Sequence, residues 1–321
     1  MQADHRAMAS AALGIGAVGA GVAVSDHLTR YPVLTAQAVR YAAGAALLAA
    51  LARATRREPE RRLDATGRAL LVGLALSGMV VFNVAVVRAV DTGEPAVVAT
   101  IVGLAPIGLA LVVPAVERRR PRPAIVAGAC LAAAGAAVVE GFGRADGASL
   151  AWSTVALGGE VAFTALAAPL LRTLTPLGLA VRACAVAAVL LAATSLLVDG
   201  RTAVPRPGPG VVAAVAYLAV ASTALAFVLW YTCVSRVGTA RAGLLTGIAP
   251  ISAAATGVAL GGPPPSLLVW LGVAVVAAGL GLGLAKRERV RLDPGAQESD
   301  LDGELAERPA PADQVVQPAV P

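Results

Sequence analysis

Apolar residues fall in ten blocks along the chain, and short segments rich in charged residues, proline and glycine separate them. Each block is about 20 residues long, the length that an α-helix needs to cross a hydrocarbon core of ~30 Å. The pattern therefore predicts an all-α membrane protein with ten transmembrane helices. The predicted spans cover residues 8–24, 32–52, 68–88, 95–116, 122–140, 149–171, 176–198, 209–234, 239–260 and 265–285.

The composition supports a place in the bilayer and argues against several other classes. Hydrophobic residues make up 57% of the chain and charged residues 14%, and the mean hydropathy is +0.75. A soluble domain has about 25% charged residues. The net charge of +6 does not indicate a nucleic-acid partner, because aromatic residues for base stacking are only 3%. The three cysteines stand singly in separate blocks, so neither a disulfide framework nor a metal site is expected. The sequence has no phosphate-binding loop, and no cofactor is expected.

The basic residues predict the orientation of the spans. If the N-terminus is cytoplasmic, the inner segments hold 18 Arg and Lys residues and the outer loops hold 5. Cytoplasmic loops of membrane proteins are enriched in Lys and Arg, so both termini are expected in the cytoplasm of a cell whose plasma or inner membrane holds the chain. Residues 292–321 carry seven acids against one arginine. This composition predicts a disordered acidic cytoplasmic tail, either simply solvated or engaged in a regulatory contact.

The two halves of the chain resemble each other at a fixed offset of 144 residues. Pro106 matches Pro250 at this offset, and Gly128 and Gly135 match Gly272 and Gly279. Residues 1–145 and 146–291 therefore each form a predicted repeat of five helices. Because five is an odd number, the second repeat must enter the membrane with the opposite orientation. Such inverted-topology repeats are typical of secondary transporters that work by alternating access.

The repeated motifs resemble those of EamA-type transporters in the drug/metabolite transporter superfamily. The resemblance rests on Leu104-Ala105-Pro106-Ile107, its second copy Ile248-Ala249-Pro250-Ile251, and the glycines of the fifth and tenth spans. Glu117 closes the fourth span, but the second copy has Gly261-Gly262-Pro263 there. The resemblance implies a transporter, with a small-molecule substrate and membrane lipid around it. It leaves open whether the chain works alone or as a homodimer.

We expect a secondary transporter that exports a small metabolite such as an amino acid, with proton antiport as the first mechanism to test and facilitated exchange as the alternative. The alternative is a non-transporting membrane partner, an assembly or regulatory subunit of the same fold. An intramembrane enzyme is not expected, because both histidines lie near the N-terminus and the spans hold no carboxylate cluster. The sequence names neither the substrate nor the direction of transport.

Glu160 is the main candidate for coupling, because it lies close to the centre of the sixth span. A charged carboxylate there costs at least about 2.5–3.5 kcal/mol, so the side chain should face protein or water. One interpretation is proton coupling or substrate contact, and the other is a buried ion pair that fixes helix packing. Arg182 on the next span lies at a comparable depth and is a plausible partner.

Arg40 and Arg182 are the two cations well inside predicted spans. They could bind an anionic group of a substrate. The competing interpretation, which we favour, is structural: they cap backbone carbonyls or extend to the interface. Pro106 and Pro250 each remove a backbone hydrogen bond, either to line a cavity or to kink a helix for packing.

Asn83 in the third span is the best neutral polar candidate, as a substrate contact or as an interhelical hydrogen bond. Several aromatic residues could line a cavity: Phe82, Trp152, Phe163, Tyr217, Phe227, Trp230 and Tyr231. Among them, Trp152, Trp230 and Tyr231 lie near predicted span ends and are interpreted as interfacial anchors. Gly14, Gly16 and Gly19 fit the GxGxxG fingerprint of dinucleotide sites, but they lie inside a span, so helix packing is expected.

Overall fold

The computed structural model describes residues 2–24, 28, 31–55, 62–93, 95–140, 144–198, 200, 206–261, 264 and 266–285. The predicted acidic tail lies outside these residues. The described chain forms fourteen α-helices. They are α1 (Gln2–Val24), α2 (Val33–Ala54), α3 (Ala65–Ala75), α4 (Phe82–Val90), α5 (Pro95–Val102), α6 (Ala105–Val116), α7 (Pro123–Glu140), α8 (Gly147–Leu170), α9 (Pro176–Val198), α10 (Pro209–Ala219), α11 (Ala226–Val237), α12 (Thr239–Leu244), α13 (Ile248–Ala259) and α14 (Leu267–Ala285).

Eight helical stretches are long and apolar enough to cross a membrane. They are Val33–Ala54, Ala65–Val90, Val97–Val116, Gly147–Leu170, Pro176–Val198, Pro209–Val237, Thr239–Ala259 and Leu267–Leu284. The other two predicted spans correspond to α1 and to α7, whose apolar part Pro123–Val139 is shorter. The described residues contain no strand, and one isolated bridge joins Gly93 to Ala145. The all-helical fold class is therefore confirmed, and the count of ten spans stays a prediction.

Aspartates begin two of the helices. The Asp64 carboxylate accepts a hydrogen bond from the Gly67 backbone N–H at 2.8 Å, and Asp146 accepts one from Ser149 N–H at 2.7 Å. The first N–H groups of a helix lack partners within it, so these carboxylates satisfy groups that would otherwise need water. They fix the starts of α3 and α8.

A π-helical segment interrupts the third span and another interrupts the eighth. The first, Leu76–Val81, joins α3 to α4, and the second, Val220–Leu225, joins α10 to α11. Their starts and their ends are both separated by 144 residues, the offset of the sequence repeat. A π-helical turn inserts a residue and rotates the side chains that follow it, and such turns are frequent at functional sites.

The fourth and ninth spans are each broken one turn before their central proline. A turn at Gly103 and Leu104 separates α5 from α6, and a 3-10 segment, Leu245–Gly247, separates α12 from α13. Proline has no N–H and its ring clashes with the carbonyl four residues earlier, so Pro106 and Pro250 disfavour a continuous helix at these points. Both predicted interruptions are present.

The fifth and tenth spans cross at four glycines. A Cβ atom on Gly128 would lie 2.6 Å from the carbonyl oxygen of Gly279, and one on Gly135 would lie 2.7 Å from that of Gly272. Only glycine fits where backbones approach this closely. Because the first glycine of each helix meets the second glycine of the other, α7 and α14 run antiparallel.

The glycines of α1 serve the same purpose. Gly14 lies against the Ala226 backbone and Gly19 against the Ala249 backbone, and the Ser252 hydroxyl donates a hydrogen bond to Gly16 O. The run that fits the dinucleotide fingerprint is therefore a helix-packing surface.

Candidate functional site

Glu160 lies near the middle of α8, 13 residues after its start and 10 before its end. Its side chain is partly buried, and within the described residues it forms no hydrogen bond or ion pair. Gly159 before it has no side chain, which lets α8 approach Ser77 in the first π-helical segment. The carboxylate is therefore held in the middle of a predicted span without a compensating partner.

The expected ion pair between Glu160 and Arg182 is not formed. The Arg182 guanidinium instead donates through Nη1 to Gly178 O, one turn earlier on its own helix, at 3.4 Å. Side chains on a helix lean toward its N-terminus, which brings the Arg182 side chain back along α9. Similar depth in the sequence was not enough to bring the two groups together.

Arg40 is held by several groups of the second π-helical segment and of its own helix. Nε donates to Thr223 Oγ1 at 2.6 Å, and Nη2 donates to Ser222 O at 3.3 Å. Nη1 donates to Gln37 Oε1 at 3.1 Å, and the guanidinium carbon lies 5.1 Å from the centre of the Tyr41 ring. This arrangement favours the structural interpretation of Arg40, including the capping of a backbone carbonyl.

Four aromatic rings from three helices form a continuous cluster beside Glu160. Phe227 lies 6.3 Å from Tyr41, 5.7 Å from Phe163 and 5.8 Å from Tyr231, measured between ring centres. Phe163 and Tyr231 are 5.9 Å apart. Tilted and edge-on rings at these distances attract each other beyond their area of contact. The cluster joins α2, α8 and α11.

Polar groups lie within this aromatic cluster. The Tyr41 hydroxyl interacts with the side chains of Asn83 and Glu160, and Tyr231 interacts electrostatically with Tyr41 and Glu160. The Tyr231 hydroxyl and Thr164 Oγ1 are buried without a hydrogen-bond partner. Buried polar groups are usually paired with protein, water or ligand. We call Tyr41, Asn83, Glu160, Phe163, Phe227 and Tyr231 the central cluster.

Asn83 also binds its own helix. Its side-chain Nδ2 donates to Met79 O, within the first π-helical segment, at 2.6 Å. The Asn83 amide therefore satisfies a backbone carbonyl of the π-helical segment and faces Tyr41 at the same time. It thus connects the first π-helical segment to Tyr41 of α2.

One cavity, of about 300 Å³, lies among the ends of α6, α8 and α11 and the starts of α7 and α12. The residues that line it include four arginines and one glutamate: Arg119, Arg120, Arg122, Arg241 and Glu117. We call it the arginine cavity. The Glu117 carboxylate lies 3.9 Å from Nε of Arg119.

A second cavity, of about 260 Å³, lies among the start of α2 and the ends of α4 and α9. Its lining includes Val84, Val87, Arg88 and Asp91, and we call it the α4 cavity. The turn between α8 and α9 is five residues long, so α9 starts beside the arginine cavity. Its other end lines the α4 cavity, which places the two cavities at opposite ends of the bundle.

The central cluster lies between the two cavities. Ala168 lines the arginine cavity eight residues from Glu160 on α8, which is about 12 Å along the helix axis. Asn83 directly precedes Val84, which lines the α4 cavity. Neither Pro106 nor Pro250 lines either of these cavities; Pro106 is buried and Pro250 is half-buried. Whether the prolines line a transport cavity or shape helix packing stays a prediction.

Two of the three predicted interfacial anchors are wrong. Trp230 is 5% exposed and Tyr231 is 0% exposed, so both lie in the core of the bundle. Trp152, 39% exposed near the start of α8, fits the anchor interpretation. Sequence reasoning also missed Tyr41 and Thr223. No pattern points to them, since their roles come from helices distant in sequence.

Among the described residues, no group of three or more His, Cys, Asp or Glu side chains is placed to hold a metal ion.

The chain is similar to a protein of known crystal structure at 19% sequence identity, covering 89% of this chain and 99% of that one with a TM-score of 0.74. This likeness concerns the fold alone. The curated proteins include no significant match.

The model of the EamA-like transporter family matches the chain twice, at residues 6–140 and 147–284. The two matches divide the chain where the sequence repeat divides it and leave the predicted tail outside. Together with eight apolar helices long enough to span a bilayer, they identify a multi-pass membrane protein of the drug/metabolite transporter superfamily. The chain belongs to the EamA-like transporter family.

Proposed function

We propose that the protein is a secondary active transporter that exports a small metabolite, such as an amino acid, across the plasma membrane. The observation that supports this most directly is Glu160, a carboxylate without a partner in mid-span, placed between cavities at opposite ends of the bundle. A group reached alternately from two sides is what alternating access requires.

The proposal includes ten spans in two inverted repeats, residues 1–145 and 146–291, followed by a cytoplasmic tail at 292–321. The antiparallel crossing of α7 and α14 supports the inversion, because corresponding helices of inverted repeats run in opposite directions. The matching π-helical segments support the repeat. The Arg and Lys distribution supports cytoplasmic termini, with the arginine cavity on the inner side.

The coupling ion in this proposal is the proton, and Glu160 carries it. No cation or hydrogen-bond donor of the described residues holds Glu160 in one charge state. Its protonation is therefore free to respond to the solution in whichever cavity reaches it, and to the charge of a bound solute. Competition between a proton and a cationic group of the solute, such as the ammonium group of an amino acid, for one carboxylate produces antiport.

Flux through proteoliposomes under an imposed pH gradient tests the proposal. We expect the gradient to drive the flux of at least one of a set of pooled amino acids and metabolites, and Glu160→Gln to abolish the gradient dependence. Asp64→Asn is the matched control, because it also replaces a carboxylate by an amide but lies at the start of α3, outside both cavities. Gradient-driven flux that is equal in Glu160→Gln and the wild type would remove Glu160 from the mechanism. No flux of any solute would favour the non-transporting alternative.

A further inference from the structure

The two cavities differ in charge. The lining of the arginine cavity includes four arginines and one glutamate, whereas the lining of the α4 cavity includes one arginine and one aspartate, Arg88 and Asp91. Positive charge concentrated in a concave, low-dielectric site raises the local concentration of anions. The difference therefore makes the two ends of the path unequal for a charged solute.

The arginine cavity lies inside the bundle. The side of α6 that lines it includes Val113 and Pro114, with Val113 only 7% exposed. Residues on the other side of the same helix are exposed, Val112 at 43% and Val116 at 74%, as expected of a surface in contact with lipid tails. The cavity thus lies between helices rather than on the lipid-facing side of α6, and three of the arginines that line it, Arg119, Arg120 and Arg122, are exposed to solvent.

The arginine cavity and the central cluster are connected through α8. Ala168 lines the cavity, and Thr164, one turn closer to Glu160, is buried with an unpaired hydroxyl. Residues four apart share a face of a helix, so Glu160, Thr164 and Ala168 form one stripe. A solute in the arginine cavity is therefore two helical turns from the carboxylate.

Orientation in the membrane does not by itself account for the position of these arginines. Arg172 and Arg236 are on the same end of the bundle and exposed, yet neither lines the cavity. The positive-inside rule is satisfied by any such position. The rule does not explain why one cavity is lined by four arginines, Arg119, Arg120, Arg122 and Arg241.

We propose that the arginine cavity is the cytoplasmic entrance of the transport path and that it selects solutes bearing an oxyanion, a carboxylate or a phosphate. This rests on the proposed function and adds the substrate class to it. Guanidinium groups form paired hydrogen bonds with both kinds of oxyanion. Apolar side chains such as Val113, Ile125 and Val237 form the rest of the wall and accept the body of the solute. The α4 cavity, whose lining includes one arginine and one aspartate, binds the anion less strongly and favours its release there, while the gradients of solute and coupling ion set the direction of transport.

Thiol modification tests the entrance without knowledge of the substrate. Ala240, which lines the cavity, is replaced by cysteine in a Cys130→Ser background, and the parent without Ala240→Cys corrects for the buried Cys184 and Cys233. We expect a negatively charged sulfonate methanethiosulfonate reagent to react faster than its trimethylammonium counterpart, relative to a free thiol, and only from the cytoplasmic side. Arg120→Gln with Arg122→Gln should lower this rate ratio about tenfold. The lysine pair, Arg120→Lys with Arg122→Lys, should restore it.

The control pair is Arg172→Gln with Arg236→Gln, which removes the same charge from the same end and should leave the ratio unchanged. An unchanged ratio in the Arg120 and Arg122 variant, or a faster reaction with the cationic reagent, would overturn the proposal. This measurement does not depend on transport, so it can fail while the proposed function stands.

Measurement of solute flux is the second test of this proposal. Proteoliposomes are loaded separately with monocarboxylates, phosphate monoesters, alkylamines and neutral polyols of similar size. We expect flux of the carboxylates or the phosphate esters, and a KM about tenfold higher in the Arg120→Gln, Arg122→Gln protein at low ionic strength. Which of the two anions is carried identifies the oxyanion. Transport restricted to amines or polyols would exclude an anion-selective entrance while confirming a transporter, and no flux at all would count against the proposed function.

Discussion

The π-helical segments Leu76–Val81 and Val220–Leu225 occupy equivalent places in the two halves, yet different side chains hold them. In the first half, Asn83 binds Met79 O from within the same span. In the second half, Arg40 reaches across from the first half to Ser222 O and Thr223. The backbone irregularity is duplicated, whereas the chemistry that stabilises it is local in one half and contributed by the opposite half in the other.

The helices α1 and α8, which open the two halves, differ in the same manner. α8 carries Glu160 in its middle, whereas the acidic residue of α1 is Asp4 in its first turn, and its middle consists of small and aliphatic residues that pack on neighbouring backbones. The repeated features therefore determine how the helices pack, whereas the residues of the candidate site differ between the two halves. Substitutions at matched positions can separate these two contributions.

The largest expected effect comes from the glycine crossing, where the halves are most alike. Gly128→Val and Gly272→Val each place a side chain within 3 Å of opposing backbone, so both should lower the free energy of unfolding by at least about 1–3 kcal/mol. Thermal unfolding in detergent measures this. Gly281→Ala on α14 is the control, because a Cβ there meets nothing within 4 Å. Unequal losses at the two sites would show that the crossing is not symmetric in energy.

A smaller difference is expected between the two π-helical segments. Arg40→Met removes hydrogen bonds donated by a charged group, each worth about 1.5–3 kcal/mol, whereas Asn83→Ala removes one from a neutral donor, worth about 0.5–1.5 kcal/mol. We therefore expect the larger fall in melting temperature for Arg40. A double-mutant cycle with Thr223→Val isolates the cross-half contact. If the two single variants lost the same stability, the distinction between local and cross-half stabilisation would be lost.

Glu160→Gln should change stability less than Arg40→Met does. The carboxylate makes no hydrogen bond or ion pair within the described residues, so its replacement removes no contact and relieves the cost of a charge in mid-span. We expect a melting temperature equal to or above that of the wild type, in contrast to the loss of gradient-driven flux. A clear fall would indicate a structural role for Glu160 and would make it resemble Arg40.

The smallest effect concerns the junction between the halves, at Asp146. Hydrogen bonds from Ser149 N–H and from Thr92 Oγ1 hold the pKa of the Asp146 carboxyl below its usual value. Since the folded-state pKa is lowered, its stabilising contribution is present above the unfolded value of about 3.9 and is lost as the pH falls through the folded pKa. Asp146→Ala should speed hydrogen exchange at the Ser149 amide at pH 7, with the difference from the wild type disappearing at low pH. Asp146→Asn, which keeps an acceptor, should lie between them. A difference that persisted at low pH would exclude the charged form as its source.

Much of the frame follows from hydropathy and from Pro and Gly positions. The helix breaks before Pro106 and Pro250 and the close contacts at the repeated glycines could be predicted, because proline and glycine act on the backbone locally. Side-chain direction is different. A helix that is apolar all round has no sequence pattern that marks its inner face, so the burial of Trp230 and Tyr231 could not be deduced from their place near a span end. The separation of Glu160 from Arg182 could not be predicted for the same reason. The sequence indicates how deep each residue lies in the membrane, but not the direction in which its side chain points around the helix axis.

The contact between α7 and α14 also bears on conformational entropy. Glycine and alanine have no rotamers to lose on packing, whereas an ordered leucine or methionine side chain loses about 0.5–2 kcal/mol of rotamer freedom. In lipid, helices associate without a hydrophobic drive, so weak dispersion and backbone contacts must exceed every opposing term. Gly128, Gly135, Gly272 and Gly279 place a close contact between the two repeats where side-chain ordering opposes association least.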